Sequence, residues 1–232
     1  MSRAVRRAAV VLSIAGVALG LVLWHLAGEG GRAASRPSLP LAPLSSLRAL
    51  SPAPDPGPLV PEGVAIPAAP PLARPDAPAP GRSVDGISAA AAEQLAFHIH
   101  AHLTVFVAGS PRQIPYGVGI APPLEVESTA SGPFAVGGSA FFWLHTHAAD
   151  GIIHIESPIE RTYTLGNFFD IWSEPLGPQR VGPATGRVTA FFDGRRYLGN
   201  PRDIPLLAHA QIQLDVGRPL VAPESIRFPR GL

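Results

Sequence analysis

His98-Ile99-His100-Ala101-His102-Leu103-Thr104-Val105-Phe106-Val107 decides the fold class. Apolar Ile99, Ala101, Leu103, Val105 and Val107 alternate with other residues at period two. In an extended chain successive side chains point to opposite faces, so the segment predicts a strand with one apolar face. The same alternation puts His98, His100 and His102 together on the opposite face.

Working outward, Ala108-Gly109-Ser110-Pro111 supplies a turn, and residues 113–120 are expected as a return strand. Residues 140–147 and 152–156 form two more expected strands, joined around Asp150-Gly151, a dipeptide that favours turns. Residues 162–165 predict a short strand. Residues 166–172 predict a short helix burying Phe168, Phe169 and Trp172. Residues 187–192 and 195–198 read as a hairpin about Asp193-Gly194, and residues 210–216 as a closing strand. On the N-terminal side, residues 88–97 (SAAAAEQLAF) predict a short helix with Ser88 as its N-cap. The expected fold is mainly β, an α+β arrangement with one or two short helices. The strand, helix, hairpin, strand order at the end is compatible with a β-grasp-like C-terminal part.

Further outward the pattern changes twice. Residues 36–82 hold half of the chain's 28 prolines. Proline removes backbone donors and biases its neighbours toward extended conformations, so residues 28–83 are expected as a disordered Pro/Ala-rich linker without a partner. Residues 8–27 (AAVVLSIAGVALGLVLWHLA) contain no acid and no arginine. A run of about 20 apolar residues spans a bilayer core. Arg3, Arg6 and Arg7 precede it and place residues 1–7 in the cytoplasm. Trp24 and His25 fall at the far interface. The expectation is a single-pass anchor in the cell membrane, contacting the lipid bilayer through residues 8–27, with residues 84–232 forming an extracytoplasmic domain. A cleaved signal peptide is the alternative, although its apolar region is ordinarily shorter.

Composition narrows the chemistry. There is no cysteine, which removes disulfides, thiol nucleophiles, iron–sulfur clusters, c-type haem and blue copper. The formal net charge is +1, so nothing electrostatic points to nucleic acid. The nucleophile elbow, the phosphate loop and the dinucleotide fingerprint are missing.

The histidines carry the functional signal. Six of the 8 lie between positions 98 and 154. His145 and His147 repeat the period-two spacing on a second strand, continuing the face of Phe141 and Trp143. Across the Asp-Gly turn, Ile152, His154 and Glu156 share a face. If the strands are neighbours, the candidate metal ligands His98, His100, His102, His145, His147, His154 and Glu156 gather in one patch. Imidazole and carboxylate donors suit copper or zinc, and the donors exceed the needs of one ion. Three readings follow: a metal-binding module of the cell envelope, a metalloenzyme with Glu156 as base, or an interaction domain with structural or pH-responsive histidines. His209 reads as a structural or surface residue. Asp150 is either a carboxylate of the site or simply a turn former. A cupin site fits poorly, because Asp150 and His154 follow His147 too soon.

Trp143-Leu144-His145-Thr146-His147, followed by Gly151-Ile152-Ile153-His154-Ile155-Glu156-Ser157-Pro158, resembles an actinobacterial-type family of secreted or membrane-anchored proteins without an established activity. His100-Ala101-His102-Leu103, the stretch 164–172 and Phe192-Asp193-Gly194 belong to the same pattern, over roughly residues 97–217. The resemblance implies export and the domain boundaries, and adds no reaction. It also implies an acid directly after the second histidine of the HTH string, where this chain has Ala148.

Overall fold

Six strands and a helix organise the molecule: β1 (Phe97–Val107), β2 (Leu144–His145), β3 (Ile152–Ser157), α1 (Leu165–Ile171), β4 (Val188–Phe192), β5 (Arg195–Tyr197) and β6 (Gln211–Val216). These come from a computed structural model that describes residues 38–232. The strands belong to one eight-stranded sheet in the order β5-β4-β6-β1-β3-β2. The first and last of them, β1 and β6, run parallel at the centre, with Gln211 opposite His102 and Val216 opposite Val107. The other neighbours are antiparallel. The edge beyond β5 is closed by Leu41–Ala42, and Ser110–Arg112 folds back onto β1. The protein is mainly β, as the alternation predicts.

One face of this sheet is the hydrophobic core. Ala101, Leu103 and Val105 of β1 meet Ile153 and Ile155 of β3 and Ile212, Leu214 and Val216 of β6. Helix α1 lies over them with Leu165, Phe168, Phe169 and Ile171 buried. It starts where Thr164 and Asn167 satisfy each other's backbone donors in a capping box, and Trp172 caps its C-terminal end.

The other face carries His98, His100, His102 and Thr104 of β1, His154 and Glu156 of β3, and Gln211, Gln213 and Asp215 of β6. Apart from partly exposed His98 it is largely buried as well, beneath two extended segments. Residues 220–226 are held by side chains of β6. Val221 N–H donates to Asp215 Oδ2 (2.6 Å), and Ile226 N–H to Gln211 Oε1 (2.6 Å). Gln213 Nε2 donates to the Val221 carbonyl (3.1 Å). The second covering segment is the proline-rich stretch. Ser51 exchanges backbone hydrogen bonds with Leu220 and Ala222.

The expected linker is therefore corrected over residues 39–83. Val64 and Leu72 are buried, Leu72 N–H bonds to the Gln113 carbonyl, and Trp172 Nε1 donates to the Arg74 carbonyl (2.8 Å). Proline explains how such a chain orders. Its fixed φ lowers the entropy lost on docking, and its missing N–H leaves nothing unsatisfied beneath the cover. The anchor expected at residues 8–27, and residues 28–37 of the linker, lie outside the described residues. Among the described residues no helix is long and apolar enough to cross a membrane.

Three smaller expectations are also corrected. Residues 88–97 form no helix; Ala89–Ala90 is a strand paired to Ala140–Phe142, where Phe142 needs an apolar partner more than the alanines need a helix. The return strand ends at Arg112, and Ile120–Ala121 pairs elsewhere. The expected strand 140–147 breaks at Trp143, which turns to the main core against Tyr163 and leaves the face of His145.

Candidate metal centre

Register builds the site. His154 lies opposite His100 on β1 and opposite His145 on β2, and Glu156 lies opposite His98. Directly opposed residues on neighbouring strands share a face, so three strands deliver a row of imidazoles. Two glycines allow the close packing. At Gly151 (φ +87°) a Cβ would sit 2.3 Å from the Leu103 carbonyl oxygen, and at Gly119 (φ +72°) 2.2 Å from that of Leu144.

Among the described residues two overlapping groups are placed to hold a metal ion: His98, His100, His154 and Glu156, and His145, His147, His154 and Glu156. Within each group the donor atoms lie within 4.8 Å of one another. All of these side chains are buried except that of His98, which is 37% exposed. His98 Nε2 is 3.0 Å from His100 Nε2, and His145 Nε2 is 3.1 Å from His147 Nε2. Ligands 2.0–2.1 Å from a tetrahedral ion stand about 3.3 Å apart, close to both separations.

His145 and His147 are preset. The Nδ1–H of His145 donates to the Phe142 carbonyl (2.8 Å), and that of His147 to the Ala135 carbonyl (2.6 Å). A carbonyl only accepts, so in each ring Nδ1 holds the proton and Nε2 holds a bare lone pair. Burial pushes both rings below the ordinary histidine range, with the neighbouring imidazoles adding to it. His100 is pushed down to about 3, first by burial and then by His154 and His98. His154 behaves oppositely. Burial works to lower it, but hydrogen bonds to Glu156 and Glu62 outweigh burial and lift it to about 9. Its Nδ1 faces Glu156 Oε1 (3.2 Å) and its Nε2 faces Glu62 Oε1 (2.7 Å).

Two residues of the site were not anticipated from the sequence. Glu62 comes from the proline-rich cover, and Glu93 reaches His147 Nε2 (3.3 Å) from the loop before β1. Glu62 is the sole glutamate of residues 36–82, which is a faint signal in hindsight.

His102 is not brought into the site. Its Nε2 donates to the Asp150 carbonyl (2.8 Å), which ties β1 to the turn before β3. Asp150 is a turn former, accepting from Ile152 N–H (3.0 Å). Burial, and then the charge of Glu62, raise its carboxyl well above the usual range. Ala148 is fully buried, so the position after the HTH string has no room for a solvated acid. The extended segments cover the histidine face of β1, so His100 and His102 are buried and not solvated.

A cavity of about 600 Å³ opens onto the cluster. Pro61, Phe134, Val136 and Arg230 line it beside His98, His100, His147 and His154. Phe134 stacks on His147 with ring centroids 5.1 Å apart. Comparisons with protein-family models, with curated protein sequences and with solved structures gave no match.

Proposed function

We propose that this chain is a metal-binding protein of the cell envelope, anchored in the membrane by residues 8–27, whose extracytoplasmic domain holds copper or zinc. The observation that carries the reading is the pair His145 and His147. Two bare imidazole nitrogens stand 3.1 Å apart in a buried site, each fixed by a backbone carbonyl behind it. Two lone pairs facing each other repel unless a cation lies between them. Burial disfavours a proton on either ring, and a metal ion meets both. Donors of imidazole and carboxylate type, without thiolate, favour zinc or Cu(II) over Cu(I). The strand order, with parallel central β1 and β6 and one helix between two hairpin-like arms, supports a β-grasp-like reading of the scaffold.

A second reading, a metalloenzyme, is favoured by the cavity. It gives a small molecule access to His98 and His100, while Phe141 lies beneath His145 and Trp143 points away.

The test is elemental mass spectrometry on the full chain, solubilised in detergent and purified without chelator. At least one equivalent of copper or zinc is expected, falling in His145→Ala. A chain that takes up neither ion, even after dialysis against each, would overturn the proposal. A fragment starting at residue 84 is a poor substitute, because it lacks Glu62 and the cover over the site. Protease accessibility of the domain in intact cells, against spheroplasts, tests the placement outside the membrane.

A further inference from the structure

We infer that the site is dinuclear, with Glu156 as a carboxylate bridge between one ion on His145 and His147 and a second on His98 and His100. This rests on the metal-binding reading above and goes beyond it in number, geometry and division of labour.

Glu156 stands between the two histidine pairs. Its Oε1 is 3.2 Å from His98 Nε2, and its Oε2 is 3.8 Å from His145 Nε2. One oxygen thus faces each pair, and Oε1 also accepts from His154 Nδ1 (3.2 Å). The side chain is 4% exposed, and Oε2 has no hydrogen-bond partner. A buried carboxylate oxygen without a donor is costly, and one turned toward a pair of bare imidazole nitrogens is placed to meet a cation there. Glu62 faces His154 Nε2 with Oε1 (2.7 Å), while its carboxylate is hydrogen-bonded to the raised Asp150 carboxyl. Five imidazoles and the unpartnered oxygen of Glu156 exceed what one four-coordinate ion can use.

The two halves differ in access. His145, His147, His154 and Glu156 are all buried, and they make a closed four-donor set once a metal ion displaces one of the two protons that the Glu62 and Glu156 carboxylates hold on His154. Since His154 joins that set, the outer ion keeps three protein donors: His98, His100 and Glu156 Oε1. His98 is 37% exposed and both histidines line the cavity, so the outer ion's remaining coordination faces a space that a small ligand can enter. A closed set suits structure, and three donors with an open position suit exchange or reaction. Centres with two ions clamp substrate oxygen atoms between them.

The experiment loads the full chain with Cu²⁺ in detergent, counting bound metal and recording the electron paramagnetic resonance spectrum. Two equivalents per chain are expected, with a half-field transition from a coupled pair. The double variant His98→Ala, His100→Ala should keep one equivalent, with an isolated-ion spectrum. Glu156→Gln should lose the coupling. In the wild type, a chelator should remove one equivalent at least tenfold faster than the other. A single equivalent at saturation would overturn the dinuclear centre and leave the metal-binding reading standing. Zero equivalents would overturn both. Two equivalents without coupling, or coupling that survives in Glu156→Gln, would overturn the bridge. Circular dichroism on each variant separates loss of metal from loss of fold, and His98→Ala alone, at a partly exposed position, repeats the count where the double variant does not fold.

Discussion

The two faces of the central sheet are buried to similar degrees by opposite means. One is closed by a helix that presents leucine, isoleucine and aromatic side chains to aliphatic ones. The other is closed by extended segments, which bond to glutamine and aspartate side chains and leave five imidazoles and several carboxylates beneath them. The apolar face derives its stability from area removed from water, which is non-directional and tolerant. The polar face depends on each donor finding its acceptor, so one misplaced group is expensive. A protein that keeps ligands dry places them on the second kind of face and relies on the first for its fold.

The sharpest way to break this comparison is to damage the apolar face. Phe168→Ala removes a fully buried ring under the sheet and should destabilise the chain by about 3–5 kcal/mol, the usual range for such a truncation. Chemical denaturation with and without metal measures it. The loss should be the same in both if the faces act independently.

Asp215 gives the next effect, on the polar face. Burial lifts it from 3.8 to about 6, against hydrogen bonds from Val221 and Gln213 that lower it. The folded pKa is above the unfolded one, so between these values the folded state binds more protons. Stability is then lost as pH rises from about 4 to 6, by about 3 kcal/mol, and the loss stays constant above. Asp215→Asn should remove this slope. Relative to the wild type the variant gains about that much between pH 4 and 7, a difference in which the histidines cancel. Denaturation midpoints at each pH read it, and a pH-independent difference would show that the cover tolerates the charge.

Metal tests the polar face from the other side. At 100 times Kd an ion that binds only the folded state adds about 2.7 kcal/mol. For a chain of this size that raises Tm by roughly 5–10 °C. Differential scanning fluorimetry with zinc should show the rise in the wild type and a smaller one in His147→Ala, which keeps only the outer pair.

The smallest effect belongs to the surface. Arg202 pairs with Asp170 at the edge of α1, and both side chains are about a third exposed. Arg202→Ala should change stability by less than about 1 kcal/mol, with metal affinity unchanged. A larger loss would mean that the helix edge transmits strain to the sheet.

The β1 histidines show how far local pattern reaches. Period two put His98, His100 and His102 on one face, and the structure keeps them there. Alternation cannot distinguish a face bathed in water from one covered by another part of the chain. His102 has the same spacing as His98 and His100, yet it bonds to the Asp150 carbonyl and leaves the site. The spacing of 141, 143, 145 and 147 misled in a similar way. The strand breaks at Trp143, because packing that indole against Tyr163 outweighs two residues of regular pairing.

Local pattern alone determined that the domain is mainly β, that its core lies under residues 99–107 and that a short helix covers it, and it marked the histidines as candidate ligands. These follow from periodicities that act over a few residues, where the chain's own geometry decides. Tertiary structure decided which histidines meet, that the proline-rich stretch covers the site and delivers Glu62, and that Glu156 stands between two imidazole pairs. Each depends on strand order and docking across 50 to 100 or so residues of chain, where proximity in space carries no mark in the local sequence.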